Sequence, residues 1–347
     1  MSPVASVRGV SKVYTKGVFR KRAIKALQTV SLDVPEKGLI SLVGESGSGK
    51  TTLGKILVGL VMPSSGELSW LGTTVVKGGR ITRRDFYLAN RHRFVYVHQD
   101  PYSSLNPSKN VRSILEPVVR KYKKHLGEAD RLRYIKELLE EVGLVPAEYF
   151  IDKYPHHLSG GMRQRLSLAR ALIVDPHLIV ADEVVSMVDP SIRVSLINLL
   201  RSVVESRGTS VIFVSHDLGA AVYAAGDNPM YVMFKGLVLE FGPASEIVYR
   251  PEHPYTRALI SNVPVPLALA ERRVRGLDGV AEPSGEGAAA ASPCPFASMC
   301  PLLDEECSSL NLGEYVRVGP NHYSLCVKAG RLPKWRPGWL STTPGVT

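Results

Sequence analysis

The string GESGSGKT, Gly44–Thr51, follows the apolar run LISLV and precedes TTLGKILVGL, so a glycine-rich turn opens between a buried strand and a helix. Glycines let backbone N–H groups turn inward around phosphate oxygens, and the helix N-terminus adds partial positive charge. The spacing lets Lys50 reach the β- and γ-phosphates of a nucleotide and lets the Thr51 hydroxyl ligate Mg²⁺. Candidate phosphate contacts are therefore Gly44, Glu45, Ser46, Gly47, Ser48, Gly49, Lys50, Thr51 and Thr52. LIVADE, Leu178–Glu183, is an apolar strand that ends in two carboxylates. Asp182 suits Mg²⁺, and Glu183 suits orienting the attacking water and accepting its proton, because phosphoryl transfer needs positioning and charge stabilisation more than covalent help. LSGGMRQR, Leu158–Arg165, puts Ser-Gly-Gly before a helix, where a serine caps free N–H groups and those same groups can bind phosphate.

These residues need a scaffold that brings strand ends together. Apolar runs alternate with amphipathic stretches to about residue 260, which predicts an α/β domain with a mainly parallel sheet. Buried strands are expected at Leu39–Val43, Phe94–Val97, Leu178–Ala181 and Val211–Val214, with ligands at their carboxyl ends. DRLRYIKELLEEVG, residues 130–143, has helical apolar spacing and a glycine stop, implying a helical insert. A hydrophobic fraction of 44% excludes disorder throughout and collagen-like repetition. No run of about 18 apolar residues occurs, and the start MSPVASVRGVSKVY lacks a signal-peptide pattern, so a chain that stays in the cytoplasm and does not span a bilayer is expected.

The net charge of +11 suits an anionic surface. Much of it lies in the first 25 residues and in the stretch after Val118, neither of which interleaves aromatics and glycine as a single-strand binding platform would, so no specific nucleic-acid partner is expected.

LSGGMRQR with its surroundings resembles the signature motif of ABC-type ATPases, a resemblance that runs over about residues 4–260. It implies that Ser159, Gly160, Gly161 and Met162 face the ATP of a partner subunit, with ATP sandwiched at a head-to-tail dimer interface. Gln99 matches the glutamine that contacts Mg²⁺ and the attacking water, Asp189 the D-loop aspartate, and His216 the switch histidine that senses the γ-phosphate. Tyr14 is the candidate for stacking on adenine, with Phe19 as competitor. The resemblance makes Glu183, His216 and Gln99 the catalytic set and assigns Mg²⁺ to Thr51, Gln99 and Asp182. Two departures stand out: Val184 replaces the usual proline after the glutamate, which frees a backbone N–H and relaxes the turn, and Met187-Val188 replace Ala-Leu before Asp189. Met162 replaces the usual signature glutamine, with little loss expected.

RPEHPYTRALISNVP from Arg250, and QDPYSSLNP from Gln99, resemble the oligopeptide/dipeptide importer group of that family. The organisation expected is an ATPase domain at 1–262 with a helical subdomain at about 100–175, a linker at 263–292, a four-cysteine unit at 293–331 and a tail at 332–347. Cys294, Cys300, Cys307 and Cys326 are the only cysteines and fall in one short terminal stretch, which suggests that they meet. Read from the residues, they admit a [4Fe–4S] cluster, tetrahedral zinc or disulfides; close C-x₂₋₄-C pairs usual for zinc are missing, and similar subunits of the importer group carry the cluster.

The resemblance implies an ATP-hydrolysing subunit that powers import of peptides, oligosaccharides or nickel. It works from the cytoplasmic membrane face with two integral permeases, a second ABC ATPase (a heterodimer rather than a homodimer) and an extracellular solute-binding protein. The loop at about 100–107 is the expected permease contact. Two rivals stand beside this reading. One is a soluble ABC-type ATPase on nucleic acid or ribosomes, which lacks its expected coiled coil or tandem halves here. The other is a nucleotide-binding module that regulates without hydrolysis.

Overall fold

The structure, a computed structural model, describes residues 3–16, 22–100, 105–186, 188–261 and 292–333. Phe19, Met187, residues 101–104 of the expected permease loop, nearly all of the expected linker and most of the expected tail lie outside the described residues.

The first part of the chain runs β1 (Ala5–Lys16), β2 (Arg22–Val34), β3 (Leu39–Val43), α1 (Lys50–Leu57), β4 (Ser65–Trp70), β5 (Thr73–Lys77), β6 (Arg80–Ile81), α2 (Arg84–Asn90) and β7 (Phe94–Val97). Four helices follow: α3 (Val111–Tyr122), α4 (Glu128–Glu141), α5 (Ala147–Phe150) and α6 (Gly160–Leu172). The chain then returns to the sheet through β8 (Leu178–Asp182), α7 (Pro190–Arg207), β9 (Ser210–Ser215), α8 (Leu218–Ala225), β10 (Pro229–Phe234) and β11 (Leu237–Pro243). It closes with α9 (Ala244–Tyr249), α10 (Pro254–Ser261), β12 (Val316–Arg317) and β13 (Tyr323–Ser324).

All four expected strands are present, and they are neighbours in one eight-stranded sheet of order β12-β13-β11-β10-β3-β9-β8-β7. The five consecutive strands β10-β3-β9-β8-β7 are parallel. This is the mainly parallel sheet expected; beside it stands a second sheet that was not expected, β2-β1-β4-β5-β6, which is antiparallel throughout. The physical reason is local. Leu71-Gly72 and Gly78-Gly79 all have positive φ and join directly paired residues, Trp70 to Thr73 and Lys77 to Arg80. Such two-residue turns match the right-handed twist of a hairpin and force antiparallel pairing.

The central strands are continuous apolar runs because both faces are covered. In β3, Leu39 and Val43 face the helical side, while Ile40 and Leu42 face the core shared with the antiparallel sheet and α1. β8 divides likewise, Ile179 and Ala181 against Leu178 and Val180. Trp70, fully buried, stacks on Phe94 and Tyr87 and donates its indole N–H to Leu57 O at 2.8 Å, which fixes the end of α1 against the antiparallel sheet. Helices α3 to α6 lie between β7 and β8 in the chain. The helix expected at 130–143 begins at Glu128, where acids favour the helix N-terminus, and ends before Gly143, whose φ of 75° lets the chain leave the helix.

Residues 292–333 add β13 to the edge of the large sheet, pairing Glu240 with Ser324 and Phe241 with Tyr323. Beneath this seam the Glu240 carboxylate is completely buried. Its Oε1 accepts from Glu252 N at 2.7 Å and lies 2.7 Å from His322 Nε2, and its Oε2 accepts from His253 N at 3.0 Å. A buried carboxylate without partners costs several kcal/mol, so these three contacts make Glu240 a fastening between the terminal segment and the rest.

Candidate nucleotide-hydrolysis site

The phosphate loop leaves β3 and enters α1, as its motif requires. Gly44 has φ 148° and sits so close to β10 that a Cβ would lie 2.1 Å from Met233 O, so no side chain fits there. Gly49 at φ 106° turns the chain into α1. Lys50 is buried and folded back on the loop: its Nζ donates to Gly44 O at 2.7 Å and Glu45 O at 2.8 Å. Burial holds its pKa below the usual lysine value, while Glu183, Asp182 and Glu45 push the other way. The loop is braced from β11's side by Gly236 N, which donates to Ser48 O at 2.9 Å. Glu45, Ser46 and Gly47 are exposed at the crest, and Thr52 is half-buried.

The two carboxylates meet this loop. Thr51 Oγ1 donates to Asp182 Oδ2 at 2.9 Å, and the Tyr96 hydroxyl donates to the same oxygen. Asp182 Oδ1 is buried with no partner. Burial and the neighbouring Asp182 push the Tyr96 pKa far up, so the phenol stays a donor. Glu183 has φ 50°, a left-handed conformation costly for a side chain that is not glycine, and such strain collects where a side chain must be aimed. Its Oε1 lies 3.2 Å from His216 Nδ1, and His216 is half-exposed. The turn after Glu183 is not slack in spite of Val184: Ser186 donates to Glu183 O from both N, at 3.1 Å, and Oγ, at 2.8 Å. Val184 itself is buried in the core beside Leu196 and Leu200.

Gln99 donates its amide to Ser186 Oγ at 3.3 Å, and its own carbonyl accepts from Gln164 Nε2 at 2.8 Å. The structure thus gathers Lys50, Thr51, Asp182, Glu183, His216 and Gln99 at the carboxyl ends of β3, β8, β9 and β7. The signature residues stand apart from this cluster. Ser159 is exposed and caps α6, its Oγ accepting from Met162 N at 3.3 Å; Gly160 follows, and Gly161 is buried against Ile192. Asp189 is exposed at the start of α7. Tyr14 is exposed, with Lys12 Nζ 5.0 Å from its ring centroid. Tyr96, Ser186 and Gln164 were not singled out from the sequence. Only Tyr96 left a signal, a phenol on a buried strand three residues before Gln99.

The four cysteines are free thiols and line one small hollow together with His253, Leu303, Leu310 and Leu325. Burial pushes the thiols of Cys294 and Cys326 up to about 11, and that of Cys300 upward as well. His253 Nδ1 accepts from Tyr255 N at 3.0 Å, which leaves the proton on Nε2, a buried atom without a partner. Burial alone pulls the His253 pKa down to about 3. Among the described residues, no three His, Cys, Asp or Glu side chains are drawn together as a metal centre, and no helix is long and apolar enough to cross a membrane.

Comparison with known proteins places these features among relatives. Residues 27–186 match the family model described as ABC transporter, and residues 239–307 match that of the oligopeptide/dipeptide transporter C-terminal region. A Brucella ovis protein, provisionally named a peptide import ATP-binding protein, is 36% identical, with 94% of this chain and 98% of the relative covered. The oligopeptide transport ATP-binding protein OppF of Salmonella typhimurium is 35% identical, with 83% of each chain covered. Among solved structures, the dimeric post-hydrolysis state of the ATP-binding cassette MJ0796 bound to ADP and Pi aligns with a TM-score of 0.59 at 28% identity, covering 69% of this chain and 98% of that one.

Proposed function

The chain belongs to the ATP-binding subunits of oligopeptide-type ABC importers, which hydrolyse ATP to drive transport, and from that membership we propose how its residues divide the work. One observation carries the assignment: Asp182 Oδ1, buried and partnerless, lies on a carboxylate whose other oxygen already holds Thr51, the second oxygen donor expected for magnesium. The residues fit Mg²⁺, which when bound neutralises charge on the nucleotide phosphates. Lys50 moves from the Gly44 and Glu45 carbonyls to the β- and γ-phosphates. Glu183 accepts the proton of the attacking water, and His216 steadies the Glu183 carboxylate. Gln99 reads the site through Ser186 and passes its state to α6 through Gln164, so that the signature helix moves with the catalytic end of β7.

Ser159, exposed, with Gly160 and Met162 half-buried and Gly161 buried at the start of the same helix, suit contact with ATP held by a second subunit, in a dimer like that named for MJ0796. Tyr14 stacks on adenine, and Asp189 faces the partner. A groove of about 1290 Å³, lined in part by Leu88, His92, Tyr96, Val118, Lys121 and Tyr122, opens beside β7 and supports docking of a permease segment on the cytoplasmic membrane face. The partners are two permeases, a second ATPase in a heterodimer, and an external binding protein; peptides are the solute class.

The four thiols do not converge as a finished metal centre, but their sharing one hollow supports a sulfur-held group there. Four thiols line it, and the orphaned Nε2–H of His253 is a donor in need of a sulfur acceptor. We assign Cys294, Cys300, Cys307 and Cys326 to a [4Fe–4S] cluster, which when bound would clamp the terminal segment covalently; zinc is the alternative occupant. Iron and sulfide assay of an anaerobic preparation decides, and one zinc per chain without iron overturns the choice. The transporter reading is tested by gentle solubilisation of native membranes and mass spectrometry of what co-purifies. Two multi-spanning permeases and a second ATPase are expected, whereas ribosomal or DNA-repair partners without a membrane protein refute it.

A further inference from the structure

The peptide that joins Gly44 to Glu45, where the phosphate loop opens, is held from both sides: its carbonyl, Gly44 O, accepts from Lys50 Nζ at 2.7 Å, and its N–H, on Glu45, donates to the Tyr255 hydroxyl at 3.2 Å. Tyr255 comes from α10, 210 residues along the chain, and is only 2% exposed. Its ring lies 4.5 Å from that of Phe234 at the end of β10 and 5.6 Å from Phe296. Phe296 is buried, and in the chain it lies between Cys294 and Cys300, two of the residues that line the thiol hollow. A second strand of contact runs alongside: Lys235 Nζ donates to Pro295 O at 3.3 Å, and the next residue, Gly236, donates its N–H to Ser48 of the loop.

We propose that Tyr255 is a positioning residue for the phosphate loop, and that through Phe296 it makes nucleotide affinity depend on the packing of the four-cysteine segment. The inference rests on the ATP-site reading above. When Lys50 leaves the Gly44 carbonyl for a phosphate, the Tyr255 hydroxyl still restrains that peptide through the Glu45 N–H. Without it the loop must be ordered again at each binding event, a cost to affinity and not to the chemical step. Phe296 sets the Tyr255 ring edge-on, so a displacement of the cysteine segment reaches the hydroxyl through one aromatic contact.

The test uses the full-length chain, with ADP affinity by calorimetry, steady-state ATPase, and hydrogen exchange at the Glu45 amide. Tyr255→Phe is expected to raise the ADP Kd and the ATP KM about fivefold, the equivalent of one net hydrogen bond of about 1 kcal/mol, with kcat within about twofold of wild type. Phe296→Leu is expected to raise the ADP Kd about threefold in the wild-type background and to have almost no effect in the Tyr255→Phe background, because coupled residues do not add. The wild-type Glu45 amide is expected to be protected from exchange, a readout that holds even if a variant fails to fold. Unchanged Kd in Tyr255→Phe, or an unprotected Glu45 amide, overturns the positioning role. Additive effects of the two variants overturn the link to the cysteine segment. Failure of the wild-type chain to bind ADP at all would instead strike at the ATP-site reading itself.

Discussion

His253 makes stability depend on pH in a way that can be calculated. It is completely buried, its Nδ1 is committed to Tyr255 N, and burial holds its pKa at about 3 against an ordinary 6.5. A depressed imidazole pKa means that the unfolded chain binds the proton more readily between those two values. The stabilisation is therefore complete above about pH 6.5 and is lost as pH falls toward the folded-state value. For a shift of this size the loss between about pH 7.5 and pH 5 is on the order of 2 kcal/mol. His253→Asn keeps an acceptor near the Nδ1 position and removes the titration. The assay is urea unfolding of the metal-free chain, wild type and variant, across that pH range. Every other group is common to both proteins and cancels in the difference. The variant is expected to be less stable near neutrality, with the gap narrowing by about 2 kcal/mol at the acid end. Parallel pH dependences for the two proteins would refute the argument.

Glu183→Gln removes the proposed base while keeping the shape, so turnover in the assembled transporter should fall about 10²- to 10⁴-fold with nucleotide still bound; wild-type turnover would remove Glu183 from that role. A Cβ on Gly161 would lie 2.5 Å from Ile192 Cγ2. Gly161→Ala should therefore cost about 1–3 kcal/mol of stability, and Ile192→Ala in the same chain should relieve part of it in a double-mutant cycle, whereas an unrelieved loss would show that the clash is not the cause. Cys294 and Cys326, with thiols near 11 instead of 9.0, should alkylate about 100-fold more slowly than a free cysteine at mildly alkaline pH in the metal-free folded chain, as followed by mass spectrometry. Their contribution to stability is intact below about pH 9 and is lost as pH rises toward 11, so equal alkylation rates in folded and urea-unfolded protein would contradict the burial.

The phosphate loop, the two carboxylates and the four parallel strands were legible because each is local: a run of residue types whose spacing states both the element and the chemistry. The hairpin sheet was missed although Leu71-Gly72 and Gly78-Gly79 are turn signals, because the alternation of a half-buried strand is weak beside the unbroken apolar runs of β3, β8 and β9. The non-local parts of the site left little trace. Nothing in SMVDP says that Ser186 ties back to the Glu183 carbonyl, and nothing in MRQR says that Gln164 grips Gln99. Tyr255 stood in a string that carried family likeness, yet its place under the phosphate loop depends on α10 and β3 meeting in three dimensions. The same holds for Glu240, whose burial is created by β13, a strand of two residues that no periodicity could have announced.

The seam formed by β13 on β11 also decides how this protein behaves when shortened. A sheet edge offers unpaired N–H and C=O groups to any passing strand, and proteins blunt that hazard by covering the edge or ending it in a very short strand. Here β13 covers the outer side of β11, Tyr323 stacks on Phe241, and the sheet then stops at the two residues of β12. A chain truncated before residue 292 would bare the β11 edge and the aromatic face of Phe241 together. Such a fragment would be prone to self-association, so the terminal segment acts as a solubility cap for the ATPase as well as a part of its fold.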